Sequence, residues 1–158
     1  MPDYAEAHNN LGKLLAQQDD LLGALHRYRE ALAINPALVE AYNNVGNVYS
    51  RLGDLPGAID AYQQALQVAP HAAAVHYNLG NAYASSAAWP LAATEYRTAL
   101  RDDPSLLEAG VNLGNVLLHQ GQIQQAIAQY ADVLRRDPNH PAARRNLASA
   151  QKRLTAHP

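Results

Sequence analysis

The chain has 158 residues, 48% of them hydrophobic and 16% charged, with a formal net charge of -2 at pH 7. That length suits one ordinary domain or a short array of repeats, and the near-neutral balance gives no overall argument for nucleic acid, where a basic face would be expected. The absence of cysteine excludes disulfides, thiolate catalysis and cysteine-ligated zinc; no apolar run approaches the roughly 20 residues of a membrane span.

The first element is announced by a proline that returns at a fixed interval. Pro2, Pro36, Pro70, Pro104 and Pro138 are each 34 residues apart. Other residues keep step with them. Gly12, Gly46, Gly80 and Gly114 form one column, Ala24, Ala58, Ala92 and Ala126 another, and Tyr28, Tyr62, Tyr96 and Tyr130 a third. Self-similarity at this period marks a repeat architecture. The predicted array is a single unit over residues 1–158, with repeats at about 2–35, 36–69, 70–103 and 104–137 and a closing helix at about 138–155.

Each repeat reads as two helices. In the first repeat AHNNLGKLL (7–15) begins the pattern and Asp19 occupies the turn. In the second, Ala41, Val45, Val48 and Leu52 have helical spacing, Gly53 suits a left-handed helix end, and Pro56 stands near the start of the next helix. The third carries HYNLGNAY (76–83) and the least regular turn, SSAAWP (85–90). The fourth carries AGVNLGNVLL (109–118) and turns at Gly121. Every second helix ends before the next repeat's proline, because the residue preceding proline is pushed out of the helical region. Gly80 and Ala92 leave room for close packing within the pair, with Tyr96 as a large knob beside them. In the closing segment Ala143, Leu147, Ala150 and Leu154 make an apolar stripe. Arg135, Arg136, Arg144, Arg145, Lys152 and Arg153 face only Asp137 over 135–158, which reads as a solvated cap of the kind that keeps a solenoid soluble.

These columns resemble the tetratricopeptide repeat (TPR), whose pattern is W-x2-L-G-x2-Y, then A-x3-F, then P. The second repeat supplies Tyr42, Val45, Gly46, Tyr49, Ala58, Tyr62, Ala65 and Pro70. His8, His76 and Gly110 depart from the aromatic position, and Leu15 and Leu117 from the tyrosine. The resemblance implies an all-α fold: an α-solenoid, a right-handed superhelix of antiparallel helix pairs.

Two asparagine columns run through the first helices. One is Asn10, Asn44, Asn78, Asn112 and Asn146; the other, led by Lys13, is Asn47, Asn81 and Asn115. At about 100° per residue they share one face, roughly opposite Leu79 and Tyr83. The TPR resemblance places that face along the concave groove. A primary amide offers donors and an acceptor together, so a row of them suits the backbone of an extended segment. The ladder is similar to the repeats of O-linked N-acetylglucosamine transferases, where matching asparagines grip substrate backbones. The expected function is therefore a non-enzymatic interaction module. Its partner would be another protein or peptide, bound as an extended segment or a helix. Two alternatives stand: the substrate-recognition arm of a larger transferase, or a scaffold that associates through its repeat ends at Leu14 and Leu15. A carboxylate clamp is not expected: its positions carry Asn9, Lys13, Asn44, Ala74 and Asn78, without the set of basic residues across successive repeats that it needs.

Chemistry is not indicated. His8 and His76 occupy a packing column, and His26, His71, His119, His140 and His157 lack the spacing of a zinc-binding helix. Asp19–Asp20 and Asp102–Asp103 lie at helix ends, and each glycine is isolated, so no phosphate loop exists. Trp89 stands where Leu21, Leu55 and Ile123 stand in the other repeats and is expected to pack, with an exposed binding hot spot as the alternative. No metal, cofactor, membrane or nucleic acid is expected. MPDYAEAHNN lacks the order of a signal peptide; an excised or processed segment would start in the same way, and the cytoplasm is the expected compartment.

Overall fold

The computed structural model describes residues 2–156. Helix α1 spans Pro2–Gln17, α2 Leu21–Ile34, α3 Val39–Leu52, α4 Leu55–Val68, α5 Ala73–Ser85, α6 Trp89–Asp102, α7 Leu107–His119, α8 Ile123–Arg136 and α9 Pro141–Ala156. There is no strand among the described residues. His157 lies outside them. The architecture is the α-solenoid read from the sequence, a right-handed superhelix of helix pairs.

The turn inside each pair is set by one residue in the left-handed region: Asp19 (φ 67°), Gly53 (78°), Ala87 (56°) and Gly121 (74°). The next residue closes the turn by donating its N–H back into the helix, from Asp20 to Leu15, Asp54 to Tyr49, Ala88 to Tyr83 and Gln122 to Leu117, at 2.8–2.9 Å. This is a Schellman-type helix end. Asp19 and Ala87, the poorer turn residues in the sequence, adopt the same geometry as the glycines. At Ala87 the left-handed backbone costs about 1–2 kcal/mol that glycine would not incur.

Packing inside each pair rests on glycine against tyrosine. A Cβ placed on Gly80 would lie 2.7 Å from the ring of Tyr96; on Gly46, 2.4 Å from Tyr62; on Gly114, 2.4 Å from Tyr130. The room above the glycine is filled by the tyrosine ring itself, and Ala92 is buried in the same core cluster as Tyr96. All four tyrosines are buried, as are Ala24, Ala58, Ala92 and Ala126. His76 is buried as the sequence indicates, with Nδ1 2.6 Å from Glu95 Oε2 and Nε2 3.0 Å from the Pro70 carbonyl. His8 is half-buried, and its Nδ1 lies 3.0 Å from Glu30 Oε2 without an aligned hydrogen bond.

Curvature follows from which helices meet. Successive odd-numbered helices touch, α1 to α3, α3 to α5, α5 to α7 and α7 to α9. Among the described residues no two even-numbered helices do. An array that brings its first helices together and spreads its second ones must bend with the first helices inside. The inner wall is therefore made of α1, α3, α5, α7 and α9.

Candidate functional site

The inner wall carries a row of four pockets, one at each junction between repeats. The first, of about 250 Å³, is lined by Lys13, Tyr28, Asn44, Asn47 and Arg51 among others. The second, about 320 Å³, uses Asn47, Arg51, Tyr62, Asn78 and Asn81. The third, about 430 Å³, uses Asn81, Tyr96, Asn112 and Asn115. The fourth, about 240 Å³, is bounded by Asn115, His119 and Arg153. Seven of the nine asparagine and lysine positions singled out in the sequence thus meet along one surface. Asn10 and Asn146 line none of these four pockets; Asn10 is exposed on α1 and Asn146 is half-buried on α9.

The asparagines are half-buried and already bonded within the array, which the sequence does not announce. Asn44 Nδ2 donates to Asn9 Oδ1 at 3.0 Å and Asn78 Nδ2 to Asn43 Oδ1 at 2.9 Å. In the later repeats the acceptor changes: Asn112 Nδ2 donates to Asn81 Oδ1 at 3.0 Å and Asn146 Nδ2 to Asn115 Oδ1 at 2.8 Å. The reason is one residue. The position held by Asn9 and Asn43 is Tyr77 and Val111 in the third and fourth repeats. With no carboxamide there, the amide bonds to the other asparagine column. Asn9, only 1% exposed, is the true first rung of this lattice, not Asn10.

The second column has a further task. Tyr62, Tyr96 and Tyr130 donate their hydroxyls to Asn47, Asn81 and Asn115, each at 2.7 Å. A buried phenol needs such a partner. In the first repeat Lys13 occupies this column and accepts nothing; it forms an ion pair with Glu40 at 2.8 Å instead. Burial raises the pKa of each of the four tyrosines, that of Tyr130 to about 12. The hydroxyls stay protonated and remain donors. Sequence reasoning missed Asn9, Asn43 and this tyrosine pairing. The available signal was the fixed separation of an Asn and a Tyr, 15 residues apart in three repeats.

What stays open defines the chemistry of the wall. The carboxamide oxygens of Asn44, Asn78 and Asn112 accept nothing within the chain, and the amide nitrogens of Asn47, Asn81 and Asn115 donate to nothing. None of these atoms is among those buried without a partner, so they meet solvent. Asn81 and Asn115 each accept two bonds, which saturates a carbonyl oxygen, so toward the groove they act as donors only. The surface alternates acceptors and donors along the row. Arg51 bridges the first two repeats through the Ala16 carbonyl and Asp19 Oδ1, both at 2.7 Å. Among the described residues no group of three His, Asp or Glu is placed to hold a metal ion, and no helix is long and apolar enough to cross a membrane.

Models of known repeats match most of the chain. One described as TPR repeat matches residues 15–53 and 46–86, and one described as tetratricopeptide repeat matches 111–155. No curated protein matches the sequence. Among solved structures the chain is similar to YrrB, described as a TPR protein with an unusual peptide-binding site. That match has 26% identity and a TM-score of 0.81, over 95% of this chain and 77% of that one. It is similar to PilF of Pseudomonas aeruginosa at 23% identity and TM-score 0.88, over 98% and 70% of the two chains. The first TPR of Spaghetti (RPAP3), bound to the HSP90 peptide SRMEEVD, matches at 22% identity and TM-score 0.70, over 74% and 95%. The last two show the fold alone. With its glycine–tyrosine pairs, its bent stack and these matches taken together, the chain belongs to the tetratricopeptide repeat family.

Proposed function

We propose that the inner wall is a peptide-binding groove and that the chain, a single array of four repeats and a closing helix, is a non-enzymatic protein-interaction module. The observation that carries this reading is the row of unused acceptors and donors on Asn44, Asn47, Asn78, Asn81, Asn112 and Asn115. Their alternation suits the C=O and N–H groups of an extended backbone, whatever its side chains. Lys13 sits at the entrance with its charge neutralised by Glu40; Asn10 and Asn146 flank the row. The similarity to a TPR protein with a peptide-binding site supports the class of ligand. The likeness of the ladder to that of O-linked N-acetylglucosamine transferases supports backbone capture as its mode.

The test must separate groove contact from stack stability, because Asn78 does both. Asn43→Ala removes the acceptor of Asn78 without touching a pocket. Peptides selected from a random display library on the wild-type array would be measured on Asn43→Ala and on the triple variant Asn44→Ala, Asn78→Ala, Asn112→Ala. At about 0.5–1.5 kcal/mol per bond, the triple variant weakens binding about tenfold or more, and Asn43→Ala leaves it within about twofold. Equal losses in the two variants assign the asparagines to the stack instead.

One observation favours a second reading, self-association through the first repeat. Tyr4, Leu14 and Leu22 are exposed by 61%, 56% and 73%, although Leu15 packs into the core. Light scattering across a wide concentration range checks it: mass growth that Leu14→Lys and Leu22→Lys abolish supports association, and a constant monomer mass removes it.

A further inference from the structure

The third pocket differs from its neighbours in size, charge and lining. At about 430 Å³ it is the roomiest of the four. It is walled by Trp89 of α6 and His119 of α7, whose rings lie face to face, 4.3 Å between centroids and 4° from parallel. No Lys, Arg, Asp or Glu lines it, whereas Arg51 lines both preceding pockets and Arg153 the following one. Trp89 holds a position where leucine or isoleucine completes the packing in the other three repeats, so the core alone does not require an indole. His119 is exposed, with its ring laid against the indole.

The polar atoms facing this space are selective. Asn81 and Asn115 present only N–H groups, because both lone pairs of each oxygen are taken by a tyrosine hydroxyl and a neighbouring amide. Asn112 presents an unused carbonyl oxygen. A hydroxyl reaching this point finds donors and an acceptor at once. A cationic side chain finds no carboxylate, and an anionic one is served better by the arginine-lined pockets on either side.

We propose that this pocket is the anchor subsite of the groove and takes a tyrosine side chain of the guest. The ring packs beside the Trp89–His119 stack and the hydroxyl bonds to Asn112 Oδ1 and the amides of Asn81 or Asn115. This rests on the peptide-binding reading and narrows it to peptides with one aromatic, hydroxyl-bearing anchor.

The test is selection from a random peptide library on the wild-type array and on Trp89→Leu, a change to the residue natural at this place in two other repeats. The wild-type array enriches tyrosine at one peptide position, and Trp89→Leu loses that enrichment. With a selected peptide, Tyr→Ala in the guest weakens wild-type binding about tenfold and Trp89→Leu binding hardly at all. Trp89 is the only tryptophan, so binding also changes the array's intrinsic fluorescence, which Tyr→Ala in the guest abolishes. Enriched peptides with no preferred ring, or with phenylalanine, glutamate or lysine in its place, overturn the anchor while the groove reading stands. If no peptide is enriched on either array, the groove reading itself falls. His119→Ala, which removes the other ring of the stack from an exposed position, gives the same contrast should Trp89→Leu lose helicity.

Discussion

The first two repeats and the last two share a backbone plan and differ in how they are wired. In the first half the second helices are capped: Asp20 Oδ1 accepts from Gly23 N–H at 2.9 Å and Asp54 Oδ1 from Gly57 N–H at 3.0 Å. Ala88 and Gln122 provide no such side-chain bond in the second half. The first half also has ion pairs between repeats, Lys13–Glu40 and Arg51–Asp19, and an extra acceptor column in Asn9 and Asn43. The second half fills that column with Tyr77 and Val111 and lets its groove asparagines bond to one another. The difference teaches that an amide's job is set by its neighbour in the repeat before it. Equivalent asparagines can have one lone pair of the oxygen engaged, as at Asn47, or both, as at Asn81 and Asn115.

The largest expected effect is common to both halves. The buried tyrosines have raised pKa values, so the neutral hydroxyl is favoured in the folded state. Their contribution to stability is complete below about pH 10, where unfolded tyrosine begins to ionise, and is lost as pH rises through the folded value, about 12 for Tyr130. Circular dichroism across that window should show cooperative alkaline unfolding. Loss of helicity already below pH 9 would contradict it.

The next effect tests whether the glycine–tyrosine contact is equivalent in both halves. Gly46→Leu and Gly114→Leu each overpack a ring 2.4 Å from the new Cβ and should cost about 1–3 kcal/mol or more in urea unfolding. A marked inequality between them would show that one half relaxes more easily. A smaller effect discriminates the two wirings. Asn81 accepts two bonds and Asn47 one, so Asn81→Ala should cost about 2 kcal/mol and Asn47→Ala about 1. The reverse order would sink the account of the lattice. The smallest contrast lies at the caps: Asp54→Ala should cost about 1 kcal/mol and Gln122→Ala only a few tenths.

The repeat, its helices and its tyrosine knobs were legible because each follows from short-range rules acting at a fixed interval. The prolines 34 residues apart stop each second helix just before them, and glycine beneath a large ring recurs because nothing larger fits. The turns at Asp19 and Ala87 were only partly legible. Their side chains disfavour the left-handed backbone, yet the packing of the pair imposes it. The candidate site was legible as columns but not as bonds. Whether Asn78 turns to Asn43 or to Asn47 depends on which side chains meet across the junction between repeats, and no periodicity within one helix encodes that meeting. The stack of Trp89 on His119 joins residues 30 positions apart on different helices and follows from the bend of the array, not from either residue's local pattern.

The most direct test follows the side-chain amide protons of Asn47, Asn81 and Asn115 by NMR while a library-selected peptide is added. If the inner wall grips a guest backbone through its open amides, these resonances move and saturate together with binding, while the amide of Asn44, engaged with Asn9, moves less. A peptide that saturates the protein and leaves all three signals in place binds somewhere else, and the asparagine row would then serve the stack alone.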